Sequence, residues 1–128
     1  LEAAAGSDVQ LYVSTFYQEG GSPEFDDGIK AWLNEDSTAM TNNGGNDTIA
    51  AVTAMGYDAY YVALEALKAA GSTDAGAVKA ALPGVTYTGV TGVIAFDDIG
   101  DAIRDTAYIK VADTANSAWA LETMQKAG

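Results

Sequence analysis

Residues 89–111 read GVTGVIAFDDIGDAIRDTAYIKV, and four aspartates, Asp97, Asp98, Asp101 and Asp105, fall within nine positions of this stretch. A short apolar run from Val93 to Phe96 precedes them. An alternating run from Tyr108 to Ala112 follows, so the cluster sits between two strands. A calcium loop of the helix–loop–helix kind needs oxygen ligands at alternate positions and a distal Glu. Here Asp97, Asp98 and Asp101 are spaced one and three, no Glu follows at that distance, and the flanks are strands. A different metal site stays open, as does a pair of carboxylates doing acid–base work through split pKa values. The residue types favour a third reading: an aspartate-rich turn whose side chains accept backbone N–H bonds, with Gly100 supplying a permissive backbone.

Composition narrows the field. The 128 residues suffice for one ordinary domain, and an apolar fraction of 48% permits a packed core. Six basic against eighteen acidic residues give a net charge of -12, which repels phosphate backbones. No basic stripe is present, so a nucleic-acid partner is disfavoured. The chain has no histidine, the commonest general base and metal ligand, and no cysteine, so thiolate chemistry and disulfides are excluded. No apolar run is long enough to span a bilayer, and no signal peptide is visible. The opening LEAAAGSDVQLYVSTF begins like the tail of a helix, Leu1 to Ala5, stopped by Gly6 and Ser7. That start is expected of a fragment of a longer chain.

Working along the chain, DVQLYVSTF alternates, with Val9, Leu11 and Val13 on one side and Gln10, Tyr12 and Ser14 on the other. It predicts a half-buried strand. After the loop YQEGGSPEF, Ser22 is placed to cap a helix with Pro23 at its first position. Glu24, Asp26 and Asp27 lie at the positive end of the helix dipole. That helix runs to about Leu33, with Phe25, Ile29 and Trp32 or Leu33 on its apolar face. NEDSTAMTNNGGND, Asn34 to Asp47, reads as loop. Asp47 is placed to cap a long helix ending at about Ala70, with Gly71 as its stop. Val52, Met55, Ala59, Val62, Ala63, Ala66 and Leu67 would form its broad apolar face, and Gly56 is where it would bend or break. Ser72 or Asp74 caps a short helix ended by Pro83-Gly84. Strands follow at Val93–Phe96, Tyr108–Ala112 and Trp119–Met124, the last two joined by the turn DTANS. Tyr108, Lys110 and Ala112 would share one face of their strand. The order places the fold in the α/β or α+β class.

Three other stretches invite functional readings. TNNGGND exposes glycine amides but lacks the phosphate-loop pattern, and it reads as plain loop. Phe16 and Tyr17 lie just past a strand end and before a helix, where clefts of α/β sheets form. The competing reading is that Phe16 closes the core and Tyr17 lies on the surface. In MGYDAYYVALEAL, Tyr57 and Asp58 could receive an amino group or hydroxyl by hydrogen bonds and cation–π contact. Tyr60 and Tyr61 read as helix-edge packing.

Taken together, GYDAYYVALEALKAAGS, VKAAL and YTGVTGVIAFDDIGDAIRDTAYIKV resemble the C-terminal part of the branched-chain amino-acid type (Leu/Ile/Val-binding-like) of periplasmic substrate-binding proteins of ABC transporters. The matching positions are Gly56 to Ala59, then Gly89, Thr91, Gly92, Ile94, Phe96, Asp97, Gly100 and Asp101. The resemblance covers nearly the whole chain, and the combination in order is what carries it. It implies an α/β fragment of a type I periplasmic-binding (Venus-flytrap) fold, with helices packing on a sheet and a C-terminal antiparallel strand pair. Residues 1–128 would be the C-terminal part of a two-lobed solute-binding protein: the hinge-crossing strand, the closing helices of one lobe, and the terminal strands. The first strands of both lobes would be missing. The aspartate turn would be structural, and the protein not an enzyme, with no catalytic residue, metal or cofactor.

The resemblance further implies a receptor outside the cytoplasmic membrane, periplasmic or extracellular and in some cases a membrane-anchored lipoprotein. It would deliver a small polar solute, an amino acid or similar, to an ABC permease. Tyr57, Asp58, Phe16 and Tyr17 are the expected ligand-binding residues. The partners implied are the ligand, the permease and the missing N-terminal part of the receptor, and the fragment alone is expected to self-associate. Two rival readings are the ligand-sensing ectodomain of a signalling receptor with the same fold, and an acidic hydrolase fragment using Asp97 and Asp101.

Overall fold

The computed structural model describes residues 9–104 and 106–126. The helix tail expected over Leu1–Ala5, its stop at Gly6 and Ser7, and Asp105 lie outside the described residues. From the N-terminus the chain forms β1 (Tyr12–Thr15), α1 (Pro23–Glu35), α2 (Ser37–Asn42), α3 (Ala51–Ala70), α4 (Ala75–Ala81), β2 (Tyr87–Gly89), β3 (Gly92–Phe96), β4 (Ala102–Ile103), β5 (Thr106–Asp113) and β6 (Ala118–Lys126). These elements fall into two compact units. One joins the residues up to Gln18 to those after Arg104, and the other runs from Glu19 to Arg104.

The first unit is an antiparallel sheet in the order β1–β5–β6. Tyr12 faces Val111 and Thr15 faces Tyr108. The C-terminal strand pair expected from the alternating runs is present as β5–β6. Ile109 faces Thr123 while Lys110 faces Leu121, so Glu122 is an extra residue that bulges β6. The half-buried strand expected over residues 8–16 is corrected in two ways. Only Tyr12–Thr15 is paired as strand, and Val9, Leu11, Tyr12 and Val13 are all exposed. Alternation sets which side chains share a face, but burial needs a second layer. Among the described residues this unit contains no helix to supply one. The two faces expected of β5 are likewise not distinguished by burial, because every residue from Thr106 to Asp113 is half-buried.

The second unit carries four helices and the antiparallel sheet β2–β3–β4. Helix α1 begins as expected, with Pro23 in its first turn and Glu24 and Asp26 at its positive end. Ser22 occupies the cap position without a side-chain cap bond. The expected loop from Asn34 to Asp47 is a correction, because it contains α2. The Asp36 carboxylate accepts the amides of Thr38 (2.8 Å) and Ala39 (3.0 Å) and so starts a helix inside a polar, loop-like composition.

Helix α3 spans 20 residues without a break at Gly56. Its cap position is Ala50, not Asp47, and no side chain caps it. It stops at Gly71, whose φ of 59° lies in the left-handed region and whose amide reaches the carbonyls of Leu67 and Lys68. The buried stripe of α3 is Ala54, Asp58, Val62 and Ala66, spaced by four. That is narrower than the expected face and rotated from it, since Val52 is 73% exposed. Val62 and Ala66 pack with Val85 and Ile94, flanked by Val78, Leu82, Tyr87 and Phe96. Ala66 has no exposed surface, and a small side chain there lets the helix lie close to the sheet. Helix α4 is capped by Asp74, which accepts the Ala77 amide at 2.9 Å. It ends in a 3-10 turn at Leu82–Gly84, where Pro83 stops the helix. Among the described residues both sheets are antiparallel.

This packing sets an expected contrast in chemical unfolding. Replacing Ile94, which is 4% exposed in the core, by Ala is expected to cost about 2–4 kcal/mol through lost burial and a residual cavity. Ile99→Ala, at a site 85% exposed, is expected to change stability by less than about 0.5 kcal/mol. Equal losses in urea titrations of the two variants would contradict this core.

Candidate functional site

A cleft of about 580 Å³ opens in the second unit between the N-terminal turn of α1, the first turns of α3, and β2 with its following turn. Phe25 and Ile29 line it from α1, Tyr57 from α3, and Tyr87, Thr88 and Val90 from the sheet. Its rim at Gly21 and Ser22 is held in place by carboxylates. Asp26 accepts the Gly20 amide at 2.6 Å, and Glu19 accepts the Ile49 amide at 3.1 Å. Glu19 also pairs with Lys30 at 3.3 Å, and this bond raises the lysine above its ordinary pKa.

The aromatic rings form one run. Phe25 meets Tyr57 with ring centres 4.9 Å apart, and Tyr57 meets Tyr61 at the same distance. Tyr61 stacks on Tyr87 at 5.8 Å, nearly parallel. Tyr60 lies outside the run, edge-on to Tyr61 and 61% exposed. Spacings of this kind suit rings that hold one another rigid. The Tyr57 hydroxyl donates to that of Tyr61 at 3.4 Å. This bond and burial push the Tyr57 phenol up to about 12. Burial, then the negative charge of Asp58, raises Tyr87 as well. Among the described residues Glu24 is the one formally charged side chain lining the cleft. The wall therefore offers ring faces, hydroxyls and one carboxylate, a surface suited to an apolar or cationic group rather than an anion.

Asp58 does not line this cleft. Its side chain has no exposed surface, and its carboxylate accepts the amides of Val90 and Thr91, each at 2.8 Å, and the Thr91 hydroxyl at 2.5 Å. Arg104 in turn donates to the Thr91 hydroxyl oxygen at 2.8 Å. Asp58 thus acts on the cleft through the turn after β2. Phe16 and Tyr17 belong to the other unit, at the end of β1. Phe16 is 41% exposed and Tyr17 is buried, the reverse of the expectation that Phe16 closes a core and Tyr17 lies outside.

The aspartate cluster folds as a turn. One Asp97 carboxylate oxygen accepts the amides of Ile99 and Asp101, at 3.0 and 2.8 Å. The Asp97 amide donates to the Asp101 carbonyl at 3.0 Å, and Gly100 takes a φ of 93°. Asp98 and Asp101 are exposed. Among the described residues no group of three or more His, Cys, Asp or Glu side chains is placed to hold a metal. The glycine amides of TNNGGND are used internally. Gly44 and Gly45 donate to the carbonyls of Thr41 and Met40 and so close α2.

Phe25, Tyr87 and the wall from Thr88 to Val90 were not expected at the site. Phe25 comes from α1 and residues 87–90 from β2 and its following turn, and no local spacing in the sequence links the two. Asp58 left a signal of another sort, because it falls on the stripe of four that runs from Ala54 to Ala66 and so on the buried side of α3.

No family model matches the chain, and no curated protein matches it. Among solved structures it is similar to the leucine-binding protein LivK from Thermotoga maritima, with a TM-score of 0.66 and 24% sequence identity. The match covers 98% of this chain. The chain adopts part of a periplasmic-binding fold. It spans 33% of the length of that protein, so the α/β fragment architecture and the antiparallel strand pair are those of a portion of the fold.

The Tyr57 phenol makes alkaline stability a test of the site. A phenol is charged only when it loses its proton, and the folded chain holds that proton more tightly than an unfolded one, whose phenol titrates near 10. The contribution is therefore complete below pH 10 and is lost as pH rises from 10 towards 12. Tyr57→Phe is expected to flatten this part of the stability curve relative to the parent. Identical slopes for the two proteins in alkaline unfolding would show that Tyr57 is not held in this way.

Proposed function

We propose that residues 1–128 are the C-terminal part of an extracytoplasmic solute-binding receptor of the branched-chain amino-acid type. In the whole protein this part would comprise the hinge-crossing strand, the closing helices of one lobe and the terminal strands. The receptor takes up a small polar solute, an amino acid or similar, and delivers it to an ABC permease. It acts in the periplasm or at the outer surface, with a lipid anchor on the parent protein as one means of retention. The observation that carries this reading is the rigid aromatic wall of Phe25, Tyr57 and Tyr87 at the start of α3, on a chain whose fold matches part of a leucine-binding protein. Binding in a cleft walled by rings, with few placed polar groups, needs no reacting side chain. The aspartates that an enzyme would use are engaged in or beside a turn.

In this reading Tyr57 touches the ligand with its ring face. Asp58 contributes by fixing the turn that carries Thr88 to Val90. Phe16, with an exposed ring, and Tyr17 belong to the first unit and are retained as candidate ligand contacts in their own right. In the full-length receptor, Tyr57→Ala is expected to weaken ligand binding by about 1–3 kcal/mol, the usual loss for an aromatic contact with a hydrogen bond that the ligand buries. Titration calorimetry against a panel of amino acids measures it. Unchanged affinity on alanine substitution at Tyr57, Phe16 and Tyr17 together would remove these residues from the site.

The isolated chain is proposed to self-associate. In the first unit Val9, Leu11, Val13, Leu121 and Met124 are exposed, and among the described residues β1 and β6 are the edge strands of its sheet. The net charge of -12 opposes association only weakly at physiological salt, where screening acts over about 8 Å. Sedimentation of the 128-residue chain at micromolar concentration is expected to give a dimer or larger species. A compact monomer with sharp cooperative melting would overturn this.

A further inference from the structure

The turn that joins β2 to β3 presents three donors to one point. The amides of Val90 and Thr91 are successive in the chain, and the Thr91 hydroxyl lies beside them. Behind the hydroxyl stands the Arg104 guanidinium, donating to Thr91 Oγ1 at 2.8 Å and to its carbonyl oxygen at 3.3 Å. Successive amides on one side of a turn with a cation behind them form an anion-binding concavity. The occupant here is the Asp58 carboxylate, which comes from α3 rather than from the turn. One of its oxygens takes the Val90 amide, and the other takes the Thr91 amide and hydroxyl. Space for it exists only because residue 89 is glycine: a β-carbon there would collide with the Asp58 carboxylate.

We propose that the β2–β3 turn is an anion site with a built-in ligand, and that the Asp58 carboxylate, rather than the turn's own sequence, sets the position of the wall from Thr88 to Val90. Asp58 is then a positioning residue for the cleft. The proton order follows from the donors. Arg104 donates to Thr91, which directs the hydroxyl proton of Thr91 to Asp58, and a neutral side chain of the same shape cannot accept all three bonds. A small free carboxylate is the right chemistry to replace it, because formate is the Asp58 side chain without its methylene. The consequence for ligand binding rests on the cleft reading above, but the anion site itself does not.

Hydrogen–deuterium exchange of the segment from residue 87 to 92, in the full-length protein, tests the proposal. In the parent, the Val90 and Thr91 amides are expected to exchange slowly and to ignore added formate. In Asp58→Ala they are expected to exchange about 10 to 100 times faster, the ratio expected for losing bonds to a charged acceptor. Formate is expected to restore protection in this variant in a saturable way, whereas formamide, neutral and of equal shape, is not. Should Asp58→Ala fail to fold, Asp58→Asn carries the test, since it keeps the shape and is expected to lose protection at Val90 or Thr91. Protection in Asp58→Asn equal to that of the parent would overturn the proposal, as would an Asp58→Ala turn that formate leaves unprotected. Exchange that responds as expected while solute affinity stays unchanged across these variants would instead remove the cleft reading and leave the anion site standing.

Discussion

A carboxylate with no exposure to water sits midway along α3, at Asp58, and both of its oxygens are bonded across to the turn after β2. Burying a charge is costly unless donors replace the lost water, and here two backbone amides and a hydroxyl do so. The same bonds give partners to two amides of a half-buried turn. The rest of the second unit is arranged around this exchange. The turn is pinned to the helix, β2 and β3 leave it as a hairpin, and Val85 and Ile94 are thereby laid against Val62 and Ala66. One residue of α3 thus orients the sheet, and the apolar contacts then fill in behind it.

The cleft depends on the same arrangement. Tyr57 precedes Asp58, so it leaves the helix on the neighbouring side while Asp58 points into the core. Tyr87 stands on the hairpin that Asp58 holds, which puts it within stacking distance of Tyr61. Phe25 completes the run from α1, whose entry is fixed by Asp26 and Glu19 bonding to loop amides. Three carboxylates of a strongly acidic chain are therefore used as backbone acceptors around one opening. A site walled in this way has little freedom to collapse when empty, and such preorganisation lowers the cost of binding.

Much of this was legible in the sequence where a local rule has one physical cause. Pro23 marked the start of α1, Ser72 or Asp74 the start of α4, of which the structure uses Asp74, and Gly71 the end of α3, because each answers a backbone requirement at its own position. The turn at Asp97 followed from its residue types and the flanking strands. Other features escaped for equally definite reasons. Helix α2 lies in a polar stretch whose composition says loop, and only the bond from Asp36 to the amides ahead of it says otherwise. Strands β2 and β4 are too short to show alternation. The face of α3 was read from apolar residues alone, which excluded the charged residue at the centre of the buried stripe. Tyr57 was legible as a site candidate, yet its partners Phe25 and Tyr87 were not, since helix packing and hairpin register bring them together rather than spacing along the chain.

The β1–β5 ladder has a consequence for the order in which the molecule can assemble. Its two strands are separated in the chain by the whole of the second unit, so their pairing closes a long loop while that unit is unfolded and a short one once it is compact. Closure entropy then makes the nested unit the earlier to form and the flanking sheet its latecomer. During synthesis β1 emerges ahead of the whole second unit and waits for its partner β5 until that unit has been made.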